Sequence, residues 1–142
     1  MMSKATVNAK EFSTALDQVS KALRKSSIPV LSEVRVELSG GHCTLTATDL
    51  DTWLLQKIPA EGDDFSLVLS RTKEVAKACR LFDGALELEF IDIGEGKHRS
   101  LTLGMHSGGR SVEFEVMSAE DYPDYPTDEV QDTFTASAAA LL

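Results

Sequence analysis

The chain has 142 residues, of which 42% are hydrophobic and 26% charged, values that predict one soluble globular domain with a hydrophobic core. It has no apolar run near the ~20 residues that cross a bilayer and no apolar signal core at its N-terminus, so we expect a cytoplasmic protein. Its net charge of −9 argues, taken alone, against nucleic-acid binding, because phosphates attract lysine and arginine.

The first predicted elements are a short strand over residues 5–7 and a helix that follows it. Asn8 can cap this helix, and Glu11 can complete a capping box. The helix should end near Lys25, because Pro29 follows. Six apolar residues recur at the spacing of one buried helix face. They are Phe12, Ala15, Leu16, Val19, Ala22 and Leu23.

Alternating apolar and polar residues predict three strands after the helix. They cover residues 34–38, 44–49 and 53–58, with a turn at Gly40-Gly41. A second copy of this order begins with a strand over residues 65–69 and a helix over residues 71–82, which Ser70 can cap. The three strands that complete the second copy cover residues 86–90, 101–105 and 112–116.

The order strand–helix–three strands therefore occurs twice, and neither half can bury its apolar face alone. We predict an α+β domain in which two adjacent helices pack on β-sheet. This domain is assigned to residues 1–126. Residues 127–142 are expected to be a linker and the truncated start of a second such domain, because a new strand and helix turn are predicted from Phe134 onward. On this interpretation the chain is a piece of a longer protein or the product of a truncated gene.

Basic residues are concentrated on the two predicted helices. Residues 9–25 carry a net charge of +2 and residues 70–82 one of +3, so the rest of the chain carries −14. The basic residues predicted on the exposed helix faces are Lys10, Lys21, Arg24, Lys73, Lys77 and Arg80. If the helices lie side by side, these residues form a basic surface that could bind a phosphate backbone without reading bases. Two ordinary solvated helix faces would give the same pattern.

The sequence contains no spacing typical of a catalytic or metal site. Its three histidines share no ligand spacing with Cys43 or Cys79, which we expect to be buried thiols, although a disulfide remains open. Residues 94–97 lack the P-loop spacing and predict a hairpin turn. Asp49 is expected to bind backbone in a turn, and Trp53 to pack as a strand aromatic. We predict no catalytic residue, no metal and no cofactor.

Several short segments occur in an order that is typical of one family. They are Ile28-Pro29-Val30-Leu31, Leu45-Thr46-Ala47-Thr48-Asp49-Leu50-Asp51, Cys79-Arg80, Ala119-Glu120-Asp121-Tyr122-Pro123 and Phe134-Thr135. In this order and spacing they resemble the start of the bacterial DNA polymerase III beta subunit, the DNA sliding clamp. The resemblance covers nearly the whole chain.

The resemblance implies a DNA-clamp fold and a processivity function. In that family each subunit has three such domains, and two subunits form a head-to-tail ring that encircles duplex DNA and tethers the replicative polymerase. The implied partners are duplex DNA and, for the full-length protein, DNA polymerase III subunits, the clamp loader and a second copy in a homodimeric ring. The candidate DNA-binding residues are Lys21, Arg24, Lys25, Lys73, Lys77 and Arg80.

The resemblance also implies a ring interface that includes the second helix and the strand near Leu103-Gly104-Met105. The usual cleft for partner proteins lies in the family's second and third domains, which this chain lacks. A stand-alone clamp-like domain that binds proteins through an open sheet edge is therefore a second hypothesis. An enzyme is the third, and it would need polar groups with perturbed pKa values in a pocket.

Overall fold

The computed structural model describes residues 2–23 and 29–123. Within them, the helices are α1 (Ala9–Val19) and α2 (Thr72–Cys79). The strands are β1 (Met2–Asn8), β2 (Arg35–Ser39), β3 (His42–Thr48), β4 (Trp53–Pro59), β5 (Glu61–Gly62), β6 (Phe65–Leu69), β7 (Ala85–Ile93), β8 (Ser100–Ser107) and β9 (Arg110–Met117). Short 3-10 turns cover Ser20–Ala22, Pro29–Ser32 and Gly96–His98. In the described part of the chain, no helix is long and apolar enough to span a membrane.

The strands form one antiparallel sheet in the order β4-β3-β2-β6-β9-β8-β7-β1-β5. Each half supplies a three-strand meander, and each half's leading strand pairs with the meander of the other half. Thus β1 pairs with β7, where Ala5 faces Leu88, and β6 pairs with β2, where Val36 faces Leu67. The predicted α+β domain with two strand–helix–three-strand repeats is confirmed, and its halves are interlocked.

Both helices pack on one side of this sheet. α1 buries Phe12, Leu16 and Val19, and α2 buries Val75 and Cys79, all in a single core with the inward residues of the long strands. The apolar spacing that predicts the first helix therefore marks its buried face correctly. This arrangement leaves the polar sides of both helices facing solvent.

The helix ends differ from the predictions. α1 ends at Val19, and the chain tightens into a 3-10 turn before Leu23 becomes extended. Ser20 favours this change because its hydroxyl donates to the Leu16 carbonyl at 2.6 Å, a side-chain bond that competes with regular helix. The expected cap of Asn8 is present, since its Oδ1 accepts from the Glu11 N–H at 2.9 Å.

α2 is shorter than residues 71–82, and the expected Ser70 cap is wrong. Arg71 occupies the N-cap position, and its side chain makes no capping hydrogen bond. Instead, the Thr72 N–H donates to Glu33 Oε1 at 3.3 Å, so a carboxylate from a distant loop caps the helix. After Cys79 the backbone hydrogen bonds change to the i→i−3 type, and this pattern continues to Phe82.

A second, smaller cluster lies on the side of the sheet away from the helices. Tyr122 is its centre, 5% exposed and packed with Leu31 and Val68 against the half-buried Trp53. The Tyr122 hydroxyl donates to the Thr46 carbonyl at 3.3 Å, and burial raises the Tyr122 pKa to about 12. The segment that follows β9 is thereby fixed to the outer sheet face, and Trp53 is a packing residue, as expected.

Candidate nucleic-acid interface

The two helices run antiparallel beside each other. At one end, Lys10 Nζ of α1 lies 3.1 Å from Asp83 Oδ1, just after α2. Farther along, Arg80 Nη2 lies 3.8 Å from Asp17 Oδ1. At the other end, Leu23 lines the same surface pocket as Thr72. The end of α1 therefore lies opposite the start of α2.

The described candidate residues are all exposed on this pair of helices. Lys73, Lys77 and Arg80 follow one another at i, i+4 and i+7 on α2, opposite its buried residues. Lys21 is exposed in the 3-10 turn that extends α1. We call the solvent side of α1, α2 and these turns the helix face. The other two candidates, Arg24 and Lys25, lie outside the described residues.

Besides Asp83, which pairs with Lys10, carboxylates of the helix face lie next to the candidate residues. Asp17 lies on the exposed side of α1, where it faces Arg80. Glu74 is exposed in the first turn of α2, beside the half-buried Glu33 that caps the helix. Burial raises the pKa of Glu33, Glu74 adds to that rise, and the hydrogen bonds from Thr72 and the charge of Lys73 oppose it.

The role of Glu33 as the cap of α2 is not predicted by the sequence. It is separated from Thr72 by 39 positions and lies in a loop without a local pattern. A capping carboxylate is normally sought within the same turn. Only the pairing of β2 with β6 brings the loop before β2 next to the residues that follow β6.

The outer sheet face, on the side away from the helices, carries acidic residues. In β7 and β9 the outward positions include Glu87, Glu89, Glu113 and Glu115. Glu89 Oε2 lies 3.6 Å from Lys4 Nζ, and its Oε1 lies 3.6 Å from His106 Nε2. The alternation that puts apolar residues into the core places these charges on the opposite surface.

The groups considered for chemistry have structural roles. Burial raises the pKa of both the Cys43 and the Cys79 thiols to about 12, so they stay protonated at neutral pH. Asp49 Oδ1 accepts from the Asp51 and Thr52 N–H groups at 3.0 and 2.7 Å, the turn role expected for it. Among the described residues, no three histidine, cysteine or acidic side chains are placed to hold a metal ion.

The expected interface strand is wrong. Leu103 and Met105 are buried in β8, which pairs with β7 on one side and β9 on the other. In the described chain, β4 and the two-residue β5 are the terminal strands of the sheet, and the first parts of β6 and β9 also have an unpaired flank. β6 reaches only Val116 and Met117 of β9, so the segment from Arg110 to Glu115 has a neighbour on one flank alone. On that segment Val112 and Phe114 are only half-buried.

Comparison with known proteins gives one consistent result. Residues 3–126 match the DNA polymerase III beta subunit, N-terminal domain. The chain is similar to the DNA polymerase III beta subunit of Thermotoga maritima, with 27% identity and a TM-score of 0.71 over 89% of this chain and 33% of that one. It is similar in fold to the beta sliding clamp of C. crescentus (24% identity, TM-score 0.73, 89% and 33%) and to the sliding clamp of Bacillus subtilis (18%, 0.75, 91% and 35%). The chain spans about a third of the length of these clamps.

Proposed function

The chain belongs to the DNA polymerase III beta subunit family through its N-terminal domain, and we propose that it acts as the first domain of a DNA sliding clamp. In this role it is a non-catalytic, cytoplasmic processivity factor. It helps to encircle duplex DNA and to tether the replicative polymerase. This function requires no cofactor, because the domain binds DNA and catalyses no reaction.

The observation that supports this proposal best is the antiparallel helix pair with its exposed basic residues. Lys21, Lys73, Lys77 and Arg80 lie on one solvent-facing side of a chain whose net charge is −9. Together with Arg24 and Lys25, they are the proposed DNA contacts. Lysine and arginine reach phosphates without reading bases, so the contact is independent of sequence, weakens with salt and permits sliding.

Unpaired edges of the sheet support assembly into a ring. A domain inside a closed ring needs a neighbour on each side, and β4 and the first part of β9 offer backbone groups for such pairing in the described structure. The half-buried Val112 and Phe114 would become covered by a neighbour at β9. In the full-length protein we propose a homodimeric ring that binds polymerase III subunits and the clamp loader.

The β9 edge also favours the second candidate function. A stand-alone domain could use this edge to add a strand from another protein and act as a protein-interaction module. In that case the helix face would have no DNA to bind. The two functions therefore differ in whether charge on the helix face matters.

The proposal is tested by titrating the chain with a short DNA duplex at ~20 mM salt while recording amide NMR shifts, which detect weak binding. We expect shift changes centred on α1 and α2 that disappear at ~200 mM salt. The variants Lys73→Ala and Lys77→Ala should weaken binding, whereas the matched control Lys97→Ala in the β7–β8 connection should not. Shift changes confined to β9, or equal effects of all three variants, would contradict the DNA-binding role.

A further inference from the structure

The carboxylates of the helix face suggest how firmly DNA is held. We propose that Asp17 and Glu33 limit the grip of the helix face on the DNA backbone, so that the clamp domain slides rather than stays in place. This inference rests on the proposed function. It assigns these two acidic residues a part in DNA binding that is opposite to that of the lysines.

Asp17 lies among the basic residues of α1 and faces α2. It shares the exposed side of α1 with Lys10, Thr14 and Lys21, and its carboxylate faces Arg80 of α2 at 3.8 Å. Both partners are largely solvated, with 49% of the Asp17 side chain and 64% of the Arg80 side chain exposed. An ion pair this open contributes little to stability. Its main electrostatic effect is to reduce the positive charge that a phosphate meets at the centre of the face.

Glu33 acts at the start of α2. Its Oε1 accepts from the Thr72 N–H at 3.3 Å, next to Lys73. The first N–H groups of a helix and the adjacent lysine would otherwise both attract a phosphate. Because Glu33 brings a carboxylate to this position, the helix start is satisfied within the chain. A phosphate that approaches Lys73 meets a negative charge beside it.

The two carboxylates thus divide the basic residues of the helix face. Asp17 places negative charge beside Arg80, and Glu33, with Glu74 next to it, places negative charge beside Lys73, at two separate points along the face. The smaller net positive charge weakens the attraction for phosphates, so the duplex is held less firmly. Uniform positive charge would bind the duplex more tightly and release more counterions.

The test compares the neutral, nearly isosteric variants Asp17→Asn and Glu33→Gln with Glu113→Gln in the same duplex titration. Glu113 lies on the outward side of β9, so its variant changes the net charge equally but on the opposite face. We expect each helix-face variant to tighten binding roughly threefold or more at ~20 mM salt, and the gain to shrink as salt rises. Glu113→Gln should change affinity by less than about twofold, because its charge is distant and screened.

Two further variants separate charge from structure. Asp17→Glu keeps the charge and should bind as the wild type does. If Glu33→Gln alters folding, the Asp17 variants still test the inference, because they leave the α2 cap intact. Wild-type affinity in Asp17→Asn, or an equal gain in Glu113→Gln, would overturn this inference while loss of binding in Lys77→Ala still supported the DNA role. If Lys77→Ala binds as the wild type does, the proposed function fails first and the inference fails with it.

Discussion

The helix face and the outer sheet face lie on opposite sides of one core and carry opposite charges. Exposed lysines and Arg80 dominate the first, whereas Glu87, Glu89, Glu113 and Glu115 lie on the second. The total of −9 describes neither surface. A net charge can therefore exclude a partner only when the charges are known to be mixed over the surface.

The two faces also differ in how their side chains are held. On the sheet, Arg99 makes two hydrogen bonds to Asp92, at 3.1 and 3.0 Å, and Lys4 pairs with Glu89 across neighbouring strands. On the helices, Lys10 lies 3.1 Å from Asp83 and Arg80 lies 3.8 Å from Asp17, and all four side chains are largely exposed. The ion pairs of the helix face are therefore more exposed to solvent than those of the sheet, and salt should weaken them more.

The largest change in the free energy of unfolding should come from a substitution in the core that separates the two faces. Leu16 is fully buried between α1 and the sheet, so Leu16→Ala removes packed methyl groups and leaves a cavity. We expect the free energy of unfolding to fall by about 2–5 kcal/mol. Urea unfolding followed by circular dichroism measures this loss. A loss below about 1 kcal/mol would contradict the single shared core.

A smaller change should affect the outer sheet face alone. Tyr122→Phe keeps the ring in its cluster but removes the hydroxyl that donates to Thr46, leaving that buried carbonyl with one partner fewer. We expect a loss of about 1 kcal/mol in unfolding free energy. DNA titration of the helix face should be unchanged. Altered DNA affinity in this variant would show that the two faces are coupled.

The smallest expected change is in how stability depends on pH, through Glu33 at the helix face. Because the pKa of Glu33 is raised above its ordinary value of 4.5, the folded state holds this proton more tightly than the unfolded state does. The stabilisation is fully present below pH 4.5 and is lost as pH rises through the folded pKa. Relative to Glu33→Gln, the wild type should therefore be more stable at pH 4 than at pH 7. Urea unfolding of both chains at each pH measures this, and a constant difference would contradict the burial of Glu33.

Local patterns predict much of this structure. The Asn8 cap, the buried face of α1 and the inward residues of the strands follow from spacing, because helices and strands have fixed periods. The exposed positions of Lys73, Lys77 and Arg80 follow from the same periods.

Long-range pairing is what spacing cannot supply. The sequence does not show that β8 lies inside the sheet, or that Glu33 reaches Thr72, because both depend on which strands become neighbours. Strand order is decided by the packing of the whole core, and a period of two residues is the same in an edge strand and a central one. The assignment of residues 127–142 to a second domain stays a prediction.

The exchange of leading strands has a consequence for how this domain can be divided. Since β1 completes the second meander and β6 completes the first, a single repeat would leave a sheet without its closing strand. A chain severed between β5 and β6 would yield two pieces that are each incomplete and complementary to one another. A single repeat would therefore need a second copy beside it to complete its sheet.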